Sequence, residues 1–180
     1  MDEGLDTGDM LMQSELTLAT DETSASLHNR LMKDGAKLLI KALDAVAAGD
    51  VLPIRQDDSK ACYAKKLTKV EASINWSLSA EEIDRKIRAF HPWPGCYVMM
   101  NNQKMNIIAE PSLAEHISET SSTKDVGKIL EADKNGLRVC CAKGSLLITS
   151  LQLPGKKMTP ITALLNAYQD IFQPGQYFDR

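Results

Sequence analysis

The chain has 180 residues, 43% of them apolar and 25% charged, a balance typical of a soluble globular protein with one ordinary domain or two small ones. No apolar run approaches the roughly 18–20 residues that cross a bilayer, and no basic leader precedes an apolar core, so neither a membrane span nor a secretory signal is expected. The net charge of −3 hides an asymmetry: residues 1–64 carry 6 Lys and Arg against 12 Asp and Glu, and residues 65–180 carry 15 against 12. The sign changes at Lys65-Lys66, which predicts two units with different partners.

In chain order, the first feature is the loop Gly4-Leu5-Asp6-Thr7-Gly8-Asp9. Two glycines around an acid and a small hydroxyl put a carboxylate on a tight, exposed turn. Leu11 to Ala19 reads as a strand, with Leu16 and Leu18 on one face. Asp21-Glu22-Thr23-Ser24 carries helix-start chemistry. Leu27, Leu31, Leu38, Leu39, Leu43 and Val46 mark an apolar face on a helix over residues 24–48, with a possible break at Asp34-Gly35 and a stop at Gly49. A lone strand beside one amphipathic helix does not make a stable sheet domain, so residues 1–49 are expected to be loosely held.

Residues 50–70 read as a polar, basic linker, with Pro53, Asp57-Asp58-Ser59, Lys60, Lys65, Lys66 and Lys69 and little apolar periodicity. Linkers this long either join domains or carry function. Ser79-Ala80-Glu81-Glu82 then matches a capping box, and Ile83, Ile87 and Phe90 form one face of a helix ending before His91-Pro92-Trp93-Pro94-Gly95. Strands are predicted at 96–100, 104–110, 127–132, 137–142 and 145–153, separated by turn chemistry at Asn101-Asn102, Asp133-Lys134-Asn135-Gly136 and Lys143-Gly144. Residues 112–124 are polar and read as an exposed loop. Thr159-Pro160 opens a last helix, with Leu164, Leu165 and Tyr168 facing the core and Gln173-Pro174-Gly175 beyond its end. The expected class is α+β, with a small barrel of oligonucleotide-binding type as the second unit.

Cys62, Cys96, Cys140 and Cys141 include no C-x-x-C pair, and His28, His91 and His116 are scattered. A reduced, structural role for the thiols and no metal site are therefore expected. Met99-Met100 reads as core filling.

The motifs, in order, resemble the C-terminal part of methionyl-tRNA formyltransferase over essentially the whole chain. They are Gly4-Leu5-Asp6-Thr7-Gly8-Asp9-Met10, Lys66-Leu67-Thr68-Lys69 leading to Ile74-Asn75-Trp76, Leu78-Ser79-Ala80-Glu81-Glu82-Ile83, Arg88-Ala89-Phe90-His91-Pro92-Trp93-Pro94-Gly95 and Leu151-Gln152-Leu153-Pro154-Gly155-Lys156-Lys157-Met158. The resemblance implies a remnant of a Rossmann-like formyltransferase domain over 1–49, a basic linker over 50–70, and an OB-like barrel that holds tRNA over 71–180. It implies formyl transfer from 10-formyltetrahydrofolate to the amino group of methionine on initiator tRNA, in the cytoplasm, without metal, membrane or DNA. Asp6 takes the place of the family's catalytic Asp, whose Asn and His partners lie on earlier elements of the family's domain. The chain is accordingly expected to be inactive alone; a separately encoded N-terminal half is one candidate partner, with a truncation, a frameshift and a mis-called start as open alternatives.

The chemistry asks for such a carboxylate. The attacking amine must lose a proton, and the tetrahedral intermediate carries an oxyanion that needs donors. Without the resemblance, Asp6 reads as a turn-capping acid. Asp9 reads as turn or surface. Lys65, Lys66 and Lys69 are expected to track an RNA backbone, and Lys156 and Lys157 are candidates for the same role. Arg85, Lys86 and Arg88 read equally as plain surface. Trp76 and Trp93 are expected to anchor the core rather than stack on bases. Asn75 stands where the family usually has Asp, Val70 where Glu is common, and Asn166-Ala167-Tyr168-Gln169 where two arginines are usual, which removes charge from the last helix. Two rival readings are a non-catalytic RNA-binding module and a related formyltransferase acting on a sugar nucleotide.

Overall fold

Side chains with no sheet to cover them dominate the first part of the chain. The computed structural model describes residues 3–108, 125–168 and 170–179, and the chain divides into two units, Met1–Lys66 and Leu67–Arg180. In the first unit, α1 spans Ser24–Ala48. Thr23 caps it: its hydroxyl accepts from the Ser26 N–H at 3.2 Å, and Ser26 Oγ accepts from the Thr23 N–H at 3.0 Å. This is a capping box with serine in the place of the usual Glu. The helix ends at Gly49, where the Asp50 N–H reaches back to the Ala45 carbonyl at 3.0 Å.

Asp34-Gly35 does not break the helix. One interior glycine costs about 1 kcal/mol, too little to interrupt a 25-residue helix. None of its residues is buried, and Leu31, Leu39, Leu43 and Val46 are each more than half exposed. The strand expected over 11–19 is absent: those residues have no regular structure. Among the described residues of this unit no strand is available to share a ladder, and a strand does not persist without one. Among the described residues of this unit the one strand-type pairing is an isolated antiparallel bridge between Met10 and Ile54.

In the second unit, Asn75 Oδ1 accepts from the Ser77 N–H at 3.0 Å and turns the chain into α2, Ala80–Ala89. The expected capping box is present: Ser79 Oγ accepts from the Glu82 N–H at 3.2 Å, and the Glu82 carboxylate accepts from the Ser79 N–H at 2.9 Å. Ala80, Ile83 and Ile87 bury one face of α2, and Phe90 packs beside them.

Among the described residues, seven strands follow: β1 (Tyr97–Met100), β2 (Gln103–Ile108), β3 (Ile129–Asp133), β4 (Gly136–Cys140), β5 (Ser145–Ile148), β6 (Ser150–Gln152) and β7 (Thr159–Pro160). They form two antiparallel sheets, ordered β1-β2-β6-β7 and β3-β4-β5. The run expected as one strand over 145–153 turns a corner at Thr149, so β5 and β6 lie in different sheets. The β3–β4 hairpin pairs Asp133 with Gly136 across a two-residue loop. Gly136 sits at φ 145°, and a Cβ there would run into the main-chain oxygen of Ile148, so no other residue fits.

The last helix, α3, is Ile161–Ala167, with Pro160 at the cap rather than in the first turn. Leu164 is buried, with Leu165 and Tyr168 packed against the core as expected. The chain end then ties the two sheets together. Gly175 and Gln176 exchange main-chain hydrogen bonds with Ile129 of β3 (2.8 and 2.7 Å), and the Asp179 N–H bonds Met99 of β1 (2.7 Å). The loop expected over 112–124 lies outside the described residues.

Candidate functional site

Asp6 occupies the left-handed region at φ 57°, which non-glycine residues seldom adopt. The turn is tight: a Cβ on Gly4 would run into the Thr7 side chain, 2.9 Å from Cγ2. A side chain at position 4 would have to displace that of Thr7. Asp6 lines a cavity of about 920 Å³ within the first unit, together with Thr7, Arg55, Gln56, Asp58, Lys60 and Tyr63.

The far wall of that cavity comes from the segment read as linker. Met10 and Ile54 exchange both main-chain hydrogen bonds, at 2.8 and 2.9 Å. Gln56 Nε2 donates to the main-chain oxygens of Asp6 (2.9 Å) and Gly8 (2.7 Å). Asp57 caps a short 3-10 helix, Asp58–Lys60, accepting from the Ser59 hydroxyl (2.6 Å) and N–H (3.1 Å), with Lys60 Nζ at 3.4 Å. These contacts, the Ser59 hydroxyl first, hold the Asp57 carboxyl below its ordinary range. Asp57 is thus committed to its turn; of the other two acids that line the cavity, Asp58 lies in the short helix and Asp6 on the left-handed turn. Neither a histidine nor an asparagine is among the residues that line the cavity.

Nothing in the sequence pattern singled out Gln56, Arg55 or Tyr63. The one available signal was the length of the apparent linker, since long unpatterned segments in folded proteins tend to carry function.

The candidate RNA-contacting lysines are all exposed. Lys65 and Lys66 close the first unit, and Lys69 stands in a turn that opens the second. Lys156 and Lys157 lie in the turn after β6, shaped by the Lys156 N–H to Leu153 (3.0 Å) and by Gln152 Nε2 to the Lys156 oxygen (2.9 Å). Among the described residues none of the five is held in an ion pair. The α2 cations differ. Arg88 Nε bonds Asp84 at 2.9 Å, Arg85 pairs with Glu81, and Lys86 Nζ donates to the Ser73 oxygen at 2.7 Å.

The two tryptophans part company. Trp76 is buried as expected, but Trp93 is 54% exposed between the cis bonds His91–Pro92 and Trp93–Pro94. The expectation of a core anchor at Trp93 is corrected: in its proline-flanked turn the ring is more than half exposed and stands outside the core cluster. Cys96, Cys140 and Cys141 are buried, Cys62 is exposed, and none is in a disulfide. Among the described residues no three His, Cys, Asp or Glu side chains cluster as a metal site would require, and no helix is long and apolar enough to cross a membrane.

Comparison with known proteins gives this geometry a context. The chain is 42% identical over 176 residues to a methionyl-tRNA formyltransferase of Marinobacter nauticus, covering 98% of this chain and 55% of that protein. It is 45% identical over 177 residues to one of Pseudoalteromonas translucida, covering 97% and 54%. The chain thus spans about half the length of these curated relatives. Among solved structures, HypX from Aquifex aeolicus in complex with tetrahydrofolic acid shares the fold, with a TM-score of 0.64 and 15% identity over 99% of this chain and 32% of that one. The formyl transferase family model matches residues 1–43 and the formyl transferase C-terminal domain model matches residues 66–169. The chain belongs to the formyl transferase family.

Proposed function

We propose that this chain supplies the Asp6 carboxylate and the tRNA-holding unit of a methionyl-tRNA formyltransferase acting in the cytoplasm. The donor is 10-formyltetrahydrofolate and the acceptor is the amino group of methionine on initiator tRNA. The similarity to the Marinobacter and Pseudoalteromonas enzymes over 97–98% of this chain carries this reading. The cavity beside Asp6 supports it, because a carboxylate on a pinned loop has room for a substrate amine in front of it.

In the reaction the amine nitrogen attacks the formyl carbon and a carbon–nitrogen bond forms. The bond from that carbon to the folate nitrogen then breaks, and the folate nitrogen takes up a proton. Asp6 accepts the proton that the amine gives up, directly or through water. The oxyanion formed on the way needs hydrogen-bond donors, and the cavity around Asp6 contributes no His or Asn for it. Those donors and the folate pocket are assigned to the earlier elements of the family's catalytic domain. Residues 50–70 link the catalytic part to the barrel, and Lys65, Lys66, Lys69, Lys156 and Lys157 contact the tRNA backbone.

The test is a transfer assay with 10-formyltetrahydrofolate and methionyl-tRNA. Formyl-methionyl-tRNA is expected only when a formyltransferase N-terminal half is added, and is expected to be lost with Asp6→Ala. Product from the chain alone, lost in Asp6→Ala, would overturn the division of labour. Transfer to an amino-sugar nucleotide but not to tRNA would overturn the assigned substrate.

A further inference from the structure

The segment after α1 has no apolar periodicity, yet it makes the contacts that shape the Asp6 loop. The Met10–Ile54 bridge brings residues 54–56 alongside the turn. The Gln56 carboxamide then spends both of its N–H donors on that turn, at 2.9 Å to the Asp6 oxygen and 2.7 Å to the Gly8 oxygen. The two acceptors lie on either side of Thr7, so one planar group sets the spacing of the peptide units that carry the carboxylate. Asp6 also sits at φ 57°, a conformation costing roughly 1–2 kcal/mol for an L residue, which persists only where its surroundings enforce it.

We propose that Gln56 is a positioning residue for Asp6: its two hydrogen bonds hold the left-handed turn that places Asp6 at the cavity. The proposal rests on the reading of Asp6 as the proton acceptor. Gln56 touches only main-chain oxygens, so it takes no part in proton transfer itself. Its effect falls on geometry, and a displacement of about 1 Å from a productive position lowers a rate by on the order of 100-fold.

The isosteric substitution Gln56→Glu keeps size and reach but removes both donors and sets a carboxylate against two carbonyl oxygens. Gln56→Leu removes the donors without adding charge. Gln56 is exposed, so the fold of α1, followed by circular dichroism, is expected to stay intact in both variants. In the full chain labelled with nitrogen-15, the Gln56 side-chain amide protons are expected to exchange slowly with solvent. The Thr7, Gly8 and Asp9 amides are expected to lose order in both variants while α1 amides do not change. In the complemented transfer assay, both variants are expected to lower kcat by about 100-fold with KM for tRNA unchanged. Loop amides that keep their order in both variants overturn the proposal, whatever Asp6 does. Loss of loop order together with an Asp6→Ala variant of full activity leaves Gln56 as the residue that holds the turn and overturns the catalytic reading instead. Full activity of both Gln56 variants beside an inactive Asp6→Ala overturns the positioning role.

Discussion

Trp76 and Phe178 stack with ring centroids 5.5 Å apart and planes inclined by 25°, although they enter from opposite ends of the second unit. Each is about 1% exposed. The Phe178 N–H bonds the Gly127 oxygen at 2.9 Å, and the Asp179 N–H that follows bonds Met99 in the other sheet. The pair therefore fastens the C-terminal tail across both sheets and against the lead-in to α2. Truncating a fully buried aromatic costs about 3–5 kcal/mol. Phe178→Ala is expected to destabilise the second unit by that amount, measured as a fall in the urea midpoint by circular dichroism. A change below about 1 kcal/mol would mean that the tail does not close the core.

What could be read in advance separates along a physical line. Ser79 and Glu82, the turn residues Asn101-Asn102 and the buried face Ile83–Ile87 act through neighbours within four residues, so their spacing announced them. Trp93 departs from its expected place because a flanking proline fixes the backbone but says nothing about which side of a turn meets solvent. The strand over 11–19 failed because alternation records a face, whereas a ladder needs a partner elsewhere in the fold. Asp6 was legible as a carboxylate on a glycine-bracketed turn. Gln56, which holds that turn, was not, since a hydrogen bond spanning residues 6 to 56 leaves no local pattern.

Burial should separate the four thiols chemically. Desolvation pushes the Cys96 thiol up to about 11 and the Cys141 thiol up to about 12, and Cys140 is 1% exposed. The thiolate is the reactive form, so Cys96 and Cys141 react slowly near pH 8, and burial shields Cys140 from reagent. Iodoacetamide at that pH is expected to modify Cys62 first and alone in the native chain, and all four in denaturant, as read by intact mass. Alkylation of Cys96 at the rate of Cys62 would show that β1 does not shield it.

The Asp125–Lys128–Tyr177 cluster gives the second unit a pH window. The Tyr177 hydroxyl at 3.0 Å, and then Lys128 at 3.3 Å, hold the Asp125 carboxyl below its ordinary range, while Asp125 holds the Lys128 ammonium above its own. The carboxylate's contribution is complete above its unfolded value of about 3.9 and is lost as pH falls through the lowered folded value. The lysine's contribution is complete below its unfolded value of about 10.4 and is lost as pH rises through the raised one. Asp125→Asn is therefore expected to lower Tm across the interval between those limits, with the gap to the parent closing on either side. Thermal scans from about pH 3 to 11 check this; a gap that does not depend on pH would trace the effect to packing instead.

The lysines separate phosphate binding from a merely solvated surface. Lys65, Lys66 and Lys69, and separately Lys156 and Lys157, are exposed and unpaired among the described residues, so each is free to displace a counterion from RNA. Each phosphate left without its lysine flattens the dependence of log Kd on log salt by about 1. In filter binding to methionyl-tRNA over a salt series, the triple and the double alanine variants are expected to weaken binding and to flatten that slope. Because lysine–phosphate pairs position the RNA without reading bases, both variants should lose affinity for initiator and elongator tRNA alike. A variant that weakens binding with the slope unchanged would assign its lysines to the fold, and one that weakens only initiator tRNA would assign them to base recognition.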